Sequence, residues 1–99
     1  MDKNPQYFEA TLQLRNPSAE GLRFFKNQLK KNPNVWIAKE EKLKNGFDYL
    51  ISSNKFTLNL GKKLNKSFKG ELKVSRRLYG QDRLTSRLLY RATVFFKFD

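Results

Sequence analysis

The stretch VWIAKEEKLKNGFDYLIS, residues 35–52, decides the fold because it predicts a β-hairpin near the middle of the chain. Two runs with the character of strands flank Asn45-Gly46, and both residues tolerate the positive φ angles that a type I′ turn requires. On the returning strand, one face is apolar at Phe47, Tyr49 and Ile51. We therefore predict two antiparallel strands here, around which the other segments are arranged.

The segments before this hairpin predict one strand and one helix. Residues 7–15, YFEATLQLR, alternate apolar and polar side chains, which is typical of a half-buried strand. Residues 16–32 predict a helix that Asn16 or Ser18 caps and that Pro33 ends. The apolar face of the strand is Phe8, Ala10, Leu12 and Leu14, and the buried stripe of the helix is Leu22, Phe25 and Leu29.

The segment after the hairpin, residues 52–70, predicts a second helix. Ser53 or a neighbour caps it and Gly70 closes it. Gly61 borders its apolar side, where the missing side chain would let the helix approach a sheet closely. The apolar face of this helix is Phe56, Leu60, Leu64 and Phe68.

Residues 71–79 and 88–98 predict the last two strands, so the element order is β-α-β-β-α-β-β. The core face of the final strand is Leu88, Tyr90, Ala92, Val94, Phe96 and Phe98. The simplest packing is an α+β fold with a mainly antiparallel five-stranded sheet and two helices on one face. No linker interrupts the pattern, so we predict one domain over residues 1–99.

The charge of the chain is strongly basic and unevenly distributed. Its 21 lysines and arginines against nine acidic residues give a formal net charge of +12 and an isoelectric point near 10.2. Residues 51–99 hold twelve of the basic side chains and three of the acidic ones. This concentration favours binding to nucleic acid over the alternative, a basic surface that is simply solvated.

Cysteine and histidine are absent from the sequence, which excludes disulfides, thiol nucleophiles and zinc sites built from thiolates or imidazoles. No nucleophile lies in a motif with a base, and the acidic residues form no metal-binding motif. No segment has the roughly 20 apolar residues of a membrane span, and residues 1–10 lack a secretory signal. We expect a soluble, intracellular, non-catalytic protein without a cofactor.

An arginine-rich hairpin over residues 73–91 is the first candidate site, since a guanidinium group can engage phosphate oxygens in pairs. A lysine stripe on the second helix is expected to extend this basic patch. The predicted RNA-binding residues are Lys62, Lys66, Lys73, Arg76, Arg77, Arg83, Arg87 and Arg91.

Strand alternation divides the arginines of this hairpin between two faces. Depending on register, Arg77, Arg87 and Arg91 share one face of the sheet, and Arg76 points the other way or lies near a bulge. The alternative is a solvated hairpin in which an arginine contacts Asp82. The lysine stripe has an alternative too, because any surface helix presents polar residues to water.

Three segments of the chain also carry a family resemblance. They are YFEATLQLR (7–15), IAKEEKLKNGFDYLISSNKFTLNLGKKL (37–64) and GELKVSRRLYGQDRLTSRLLYRATVFF (70–96). The chain resembles the central region of the nonsense-mediated-decay-three family, the nuclear-export adaptors of the large ribosomal subunit, and looks closer to the archaeal branch. The resemblance implies a factor that binds the large subunit during its biogenesis and contacts ribosomal RNA and ribosomal proteins.

Members of that family begin with a zinc-binding region of CxxC pairs, which this cysteine-free chain lacks. The chain is therefore either a domain excised from a longer protein, which we favour, or a reduced homologue. We expect the isolated domain to be monomeric and the protein to be cytoplasmic, or both nuclear and cytoplasmic if eukaryotic. The leading interpretation is a module that docks on the RNA backbone. The alternative is a protein-interaction platform, in which a sheet edge or the acidic strand KEEK (39–42) binds a ribosomal protein or a sibling domain.

Overall fold

The computed structural model describes residues 7–81 and 88–99, in which it contains five strands and two helices. Along the chain the elements are β1 (Ala10–Arg15), α1 (Ala19–Lys30), β2 (Ile37–Leu43), β3 (Gly46–Ile51), α2 (Asn54–Ser67), β4 (Gly70–Gln81) and β5 (Leu88–Phe98). This order confirms the predicted α+β arrangement. Neither helix in the described ranges is long and apolar enough to cross a membrane.

The five strands form one sheet in the order β2-β3-β1-β5-β4. β1 lies at the centre, where it pairs antiparallel with β3 and parallel with β5. The β2–β3 and β4–β5 pairs are antiparallel hairpins. The sheet is therefore mainly antiparallel, as the sequence predicted, and each hairpin supplies one of its two edges.

Both helices pack on one side of the sheet, here named the helix face. The strand residues buried there are Ala10, Leu12, Leu14, Tyr49, Ile51, Ala92, Val94, Phe96 and Phe98. They form one core with Phe25 of α1 and with Leu60 and Leu64 of α2. The opposite side, the open face, carries Thr11, Gln13, Arg15, Leu50, Lys73, Ser75, Arg77, Arg91, Thr93 and Phe95.

Local contacts explain where the helices begin and how closely α2 approaches the sheet. Ser18 and Ser53 each accept a hydrogen bond from the backbone N–H three residues later, at 3.0 and 3.2 Å, which caps α1 and α2. Gly61 faces β5, where a Cβ atom would lie 2.7 Å from Val94 Cγ1. The predicted close approach of the second helix is confirmed.

The first hairpin is confirmed, but the prediction of a type I′ turn centred on Asn45-Gly46 is wrong. The two-residue loop is Lys44-Asn45, because Gly46 is already paired in β3. Neither Asn45 nor Gly46 has a positive φ. Gly46 is required by the neighbouring strand instead, since a Cβ atom there would overlap the carbonyl oxygen of Leu14 in β1. This glycine serves strand packing rather than turn geometry.

Two further expectations are corrected by the structure. Gly70 does not close α2: Phe68 is the C-cap, and Gly70 begins β4, where a Cβ atom would overlap the carbonyl oxygen of Lys97. Phe8 precedes β1 and does not join the core, because its ring lies 4.4 Å below the guanidinium carbon of Arg91. In both cases a contact with β5 overrides the local pattern.

Candidate nucleic-acid interface

The β4–β5 hairpin extends beyond the rest of the sheet. β1 pairs with β5 over residues 92–97, so residues 88–91 pair with β4 alone. The two strands continue as a ribbon of residues 77–81 and 88–91, here named the arm. At about 3.3 Å per residue, it projects roughly 15 Å past β1. The connecting residues 82–87, which include the predicted Arg83 and Arg87, lie outside the described residues.

Asn54 of α2 anchors the base of the arm at the point where β1 begins. Its Nδ2 donates to the Tyr90 carbonyl at 2.8 Å, and its Oδ1 accepts from the Ala92 N–H at 3.0 Å, as a further strand would. Its own backbone N–H donates to the Glu9 carboxylate at 2.9 Å. Sequence reasoning missed this residue, because no local pattern signals a contact with a strand 36 residues away.

On the open face, the arm begins with two opposed arginines. Arg77 and Arg91 are direct cross-strand partners, which confirms that they share a face, and both are exposed. Lys73 lies on the same face of β4, four residues before Arg77. Like charges in directly opposed positions destabilise a sheet. A guanidinium group can engage two phosphate oxygens, so arginines on one face suit contact with a phosphate backbone.

On the helix face, Arg76 lies beside α2. It is exposed and, with Lys55 and Lys62, lines a groove between β4 and the helix. The apolar residues of this groove are Leu58, Leu72 and Val74. Lys66 is also exposed and follows Lys62 by about one helical turn. The structure thus brings Arg76 and Lys62 together, and Arg76 faces away from Arg77 as predicted.

Most of these cations have no acidic partner within the described part of the chain. Over residues 7–81 and 88–99, no ion pair involves Lys62, Lys66, Arg76 or Arg77. Lys73 forms one with Glu71 at 3.6 Å, but both side chains are more than half exposed, so the pair contributes little. The positive charge of these side chains is therefore available to an external anion.

Besides the cations, the described residues contain two other kinds of titratable group that bear on function, the acidic side chains and the buried phenol of Tyr49. No cluster of three or more acidic side chains that could hold a metal ion lies within residues 7–81 and 88–99. Burial, and to a lesser degree the Glu40 carboxylate, raise the pKa of Tyr49 to about 12. Because Tyr49 lies in the core beneath α1, this shift concerns stability. The expectation that the chain is not an enzyme stays a prediction.

The sequence matches the family model described as NMD3, second domain, over residues 7–97. The match spans both helices and both hairpins, and it contains all three segments on which the family resemblance was based. No curated protein matches the chain. The closer likeness to the archaeal branch stays a prediction.

Proposed function

This chain belongs to the NMD3 family, whose context is ribosome biogenesis and export, and we propose that it is a non-catalytic module that docks on the backbone of large-subunit ribosomal RNA. The observation that carries the proposal is the edge strand β4, which presents exposed cations on both faces where the arm begins. Arg77 lies on the open face and Arg76 on the helix face, and neither forms an ion pair within the described residues.

The two faces of β4 suit contacts to phosphates on both sides of an edge strand. Arg77 and Arg91 lie to one side, and Arg76 with Lys62 to the other. RNA helices are recognised largely through their shape and backbone, because their major groove is too deep and narrow for side chains to read. A docking surface of this kind therefore favours structured RNA and shows little sequence preference.

A salt titration of binding to structured large-subunit RNA fragments tests the proposal. If about five phosphates are engaged, log K against log salt should have a slope of about −4 to −5, by analogy with duplex DNA. Arg76→Glu with Arg77→Glu should reduce the magnitude of the slope by about 2 and weaken binding by about 100-fold at 0.1 M salt. The double variant should unfold in urea as the wild type does, because both side chains are exposed.

The matched control is Lys39→Glu with Lys42→Glu on β2, the other edge strand. It makes the same change in net charge and also alters one residue on each face of the sheet, since Lys39 pairs opposite Leu50 and Lys42 opposite Phe47. We expect it to leave most of the affinity and the slope intact. An equal loss in both double variants would show that net charge alone governs binding, and would contradict a local contact at the arm.

A protein-binding platform is the second candidate, and exposed apolar side chains favour it. On the helix face of β4 and β5 they are Val74, Leu78 and Tyr90, which are 45%, 52% and 43% exposed. Such a patch suits contact with a ribosomal protein or a sibling domain, as does the edge strand β2, which contains Glu40 and Glu41. Binding through apolar contacts would change little with salt, so a flat titration, or no RNA binding, would favour this candidate.

A further inference from the structure

We propose that the open face also binds an unpaired RNA base, which stacks on the ring of Phe95. This inference rests on the proposed function and extends it from phosphate contacts to a subsite for a base. Phe95 lies on β5 between β1 and β4, where Gln13 and Lys73 are its direct neighbours. Its side chain is only partly buried, because the helices pack on the other face of the sheet.

Two cations, one from each neighbouring strand, lie over this ring at the outer limit of a cation–π contact. The guanidinium carbon of Arg15 lies 5.9 Å from the ring centroid, and Lys73 Nζ lies 6.0 Å from it. Arg15 is held in place by an ion pair with Asp48 at 2.8 Å and by a hydrogen bond to the Leu14 carbonyl at 3.1 Å. A base stacked on Phe95 would bring its phosphates within reach of these charges, as in sites that bind single strands.

Polar side chains line the hollow that contains this ring. Gln13, Ser75 and Thr93 line the same shallow hollow as Phe95. An amide and two hydroxyls can each donate and accept hydrogen bonds, so they can pair with any of the four bases. Unpaired bases are the part of RNA that proteins stack on aromatic rings and read along their edges.

A second hollow continues this surface towards the arm. Ser75 and Thr93 line it too, together with Phe8, Arg77 and Arg91. The guanidinium group of Arg91 lies over the Phe8 ring. Ser75 and Thr93 line both hollows. A single strand of RNA with one base stacked on Phe95 can therefore continue along this surface to Arg77 and Arg91. The stacking site and the phosphate site thus form one continuous path.

The experiment compares two RNA probes of equal length at one salt concentration, a stem with an unpaired loop and a fully paired duplex. Phe95→Ala should weaken binding of the looped probe by about 5- to 150-fold, the range found when one stacking ring is removed. The duplex affinity and the salt slope should not change, since no cation is lost. Phe95→Tyr should bind both probes as the wild type does, because a phenol ring also stacks.

Two control variants separate stacking from packing across the strands. Phe95→Leu retains an apolar side chain against Arg15 and Lys73 but has no aromatic ring, so it should weaken the looped probe much as Phe95→Ala does. Leu50→Ala removes apolar surface from the same face, on β3, and should leave both affinities unchanged. Urea unfolding of each variant establishes that the comparison is made between folded proteins.

The possible outcomes distinguish failure of the stacking site from failure of RNA docking as a whole. If Phe95→Ala leaves the looped probe unaffected, or weakens both probes equally, the stacking site is wrong. The phosphate contacts would then be tested only by the salt slope of the Arg76→Glu, Arg77→Glu variant. If the wild type binds neither probe, the proposed RNA docking fails, and the stacking site fails with it.

Discussion

The two hairpins of this chain have the same topology but differ in electrostatic character. Residues 37–51, which contain β2 and β3, carry three basic and three acidic side chains, whereas the described strands β4 and β5 carry five basic and one acidic. The neutral hairpin is attached to the sheet along all of β3, since residues 46–51 pair with β1. The cationic hairpin is attached over part of its length and then projects as the arm.

The charged side chains near the two hairpins also differ in whether they form ion pairs. Arg15 forms an ion pair with Asp48 of β3 at 2.8 Å, and Lys26 of α1 forms one with Glu40 of β2 at 3.6 Å. Over the described residues, Arg76 and Arg77 form no such pair. One edge of the sheet therefore pairs its charges with other elements of the fold, whereas Arg76 and Arg77 at the other edge form no ion pair among the described residues.

The largest expected effect concerns how firmly each hairpin is attached to the sheet. The test substitutes one glycine in each hairpin by alanine. Gly46→Ala would place a Cβ atom against the carbonyl oxygen of Leu14, so β3 must move away from β1. We expect a loss of about 3 kcal/mol in the free energy of unfolding, measured by urea denaturation. Gly80→Ala in the arm meets no atom within 4 Å and should change that free energy by no more than about 0.5 kcal/mol. Similar losses in both variants would contradict the picture of a projecting arm.

A second, smaller effect is a loss of stability at alkaline pH that originates in the neutral hairpin. The pKa of Tyr49 is raised from its ordinary value of 10.0 to about 12 in the fold, so the unfolded chain ionises first. The stabilisation is complete below pH 10 and is lost as the pH rises towards 12, by about 2 kcal/mol at pH 12. Urea unfolding between pH 9 and 12 measures this decline.

Tyr49→Phe should remove this part of the alkaline decline, because it has no phenol to ionise. Tyr90→Phe is the matched control, since it alters an exposed ring of the cationic hairpin, and it should decline as the wild type does. If Tyr49→Phe and the wild type lose stability in parallel, the buried phenol is not the group responsible.

The smallest expected effects concern one ion pair from each hairpin. The Arg15–Asp48 pair is about one quarter exposed or less, so Asp48→Asn should lower the free energy of unfolding by about 1 kcal/mol. The Lys73–Glu71 pair is more than half exposed, so Glu71→Gln should change it by less than about 0.5 kcal/mol. Urea unfolding at low and high salt measures both changes. Equal effects would mean that the two hairpins do not differ in how they use charge.

Sequence periodicity predicted the elements and most of their buried faces because each depends on neighbours within a few residues. The exception in β5 is Tyr90, which was expected in the core and is exposed. The two-residue alternation in β1 and β5 identified Leu12, Leu14, Val94 and Phe96 as core residues, and all four are buried. The missing side chain of Gly61 predicted the close packing of α2, since a glycine on an apolar helix face has few other uses.

Features that depend on distant strands were beyond this reasoning. The sheet order, with β5 inserted beside β1, is set by three-dimensional packing and has no local signal. For the same reason Gly46 was assigned to the turn, although its contact is with Leu14 of β1. The side-chain amide of Asn54 hydrogen-bonds to the backbone of β5, although the position of Asn54 in the sequence indicates only the start of a helix.

The candidate site was predictable in composition and only partly in arrangement. Alternation correctly separated Arg76 from Arg77, because the side chains of adjacent strand residues point to opposite faces. The groove that joins Arg76 to Lys62 required knowledge of which strand α2 covers. The cations around Phe95 come from β1 and β4, which are far apart in sequence, so no motif contains them.

The central position of β1 has a consequence for how the chain folds as it is synthesised. One edge of β1 pairs with β5, so that Ala10 lies opposite Ala92, almost the full length of the chain away. Until residues 92–97 have emerged from the ribosome, that edge has no partner, and α2 has no strand beneath Gly61. Contacts between such distant residues slow folding. The nascent chain is therefore expected to remain unfolded until its last strand is available, with an open edge that is prone to aggregate.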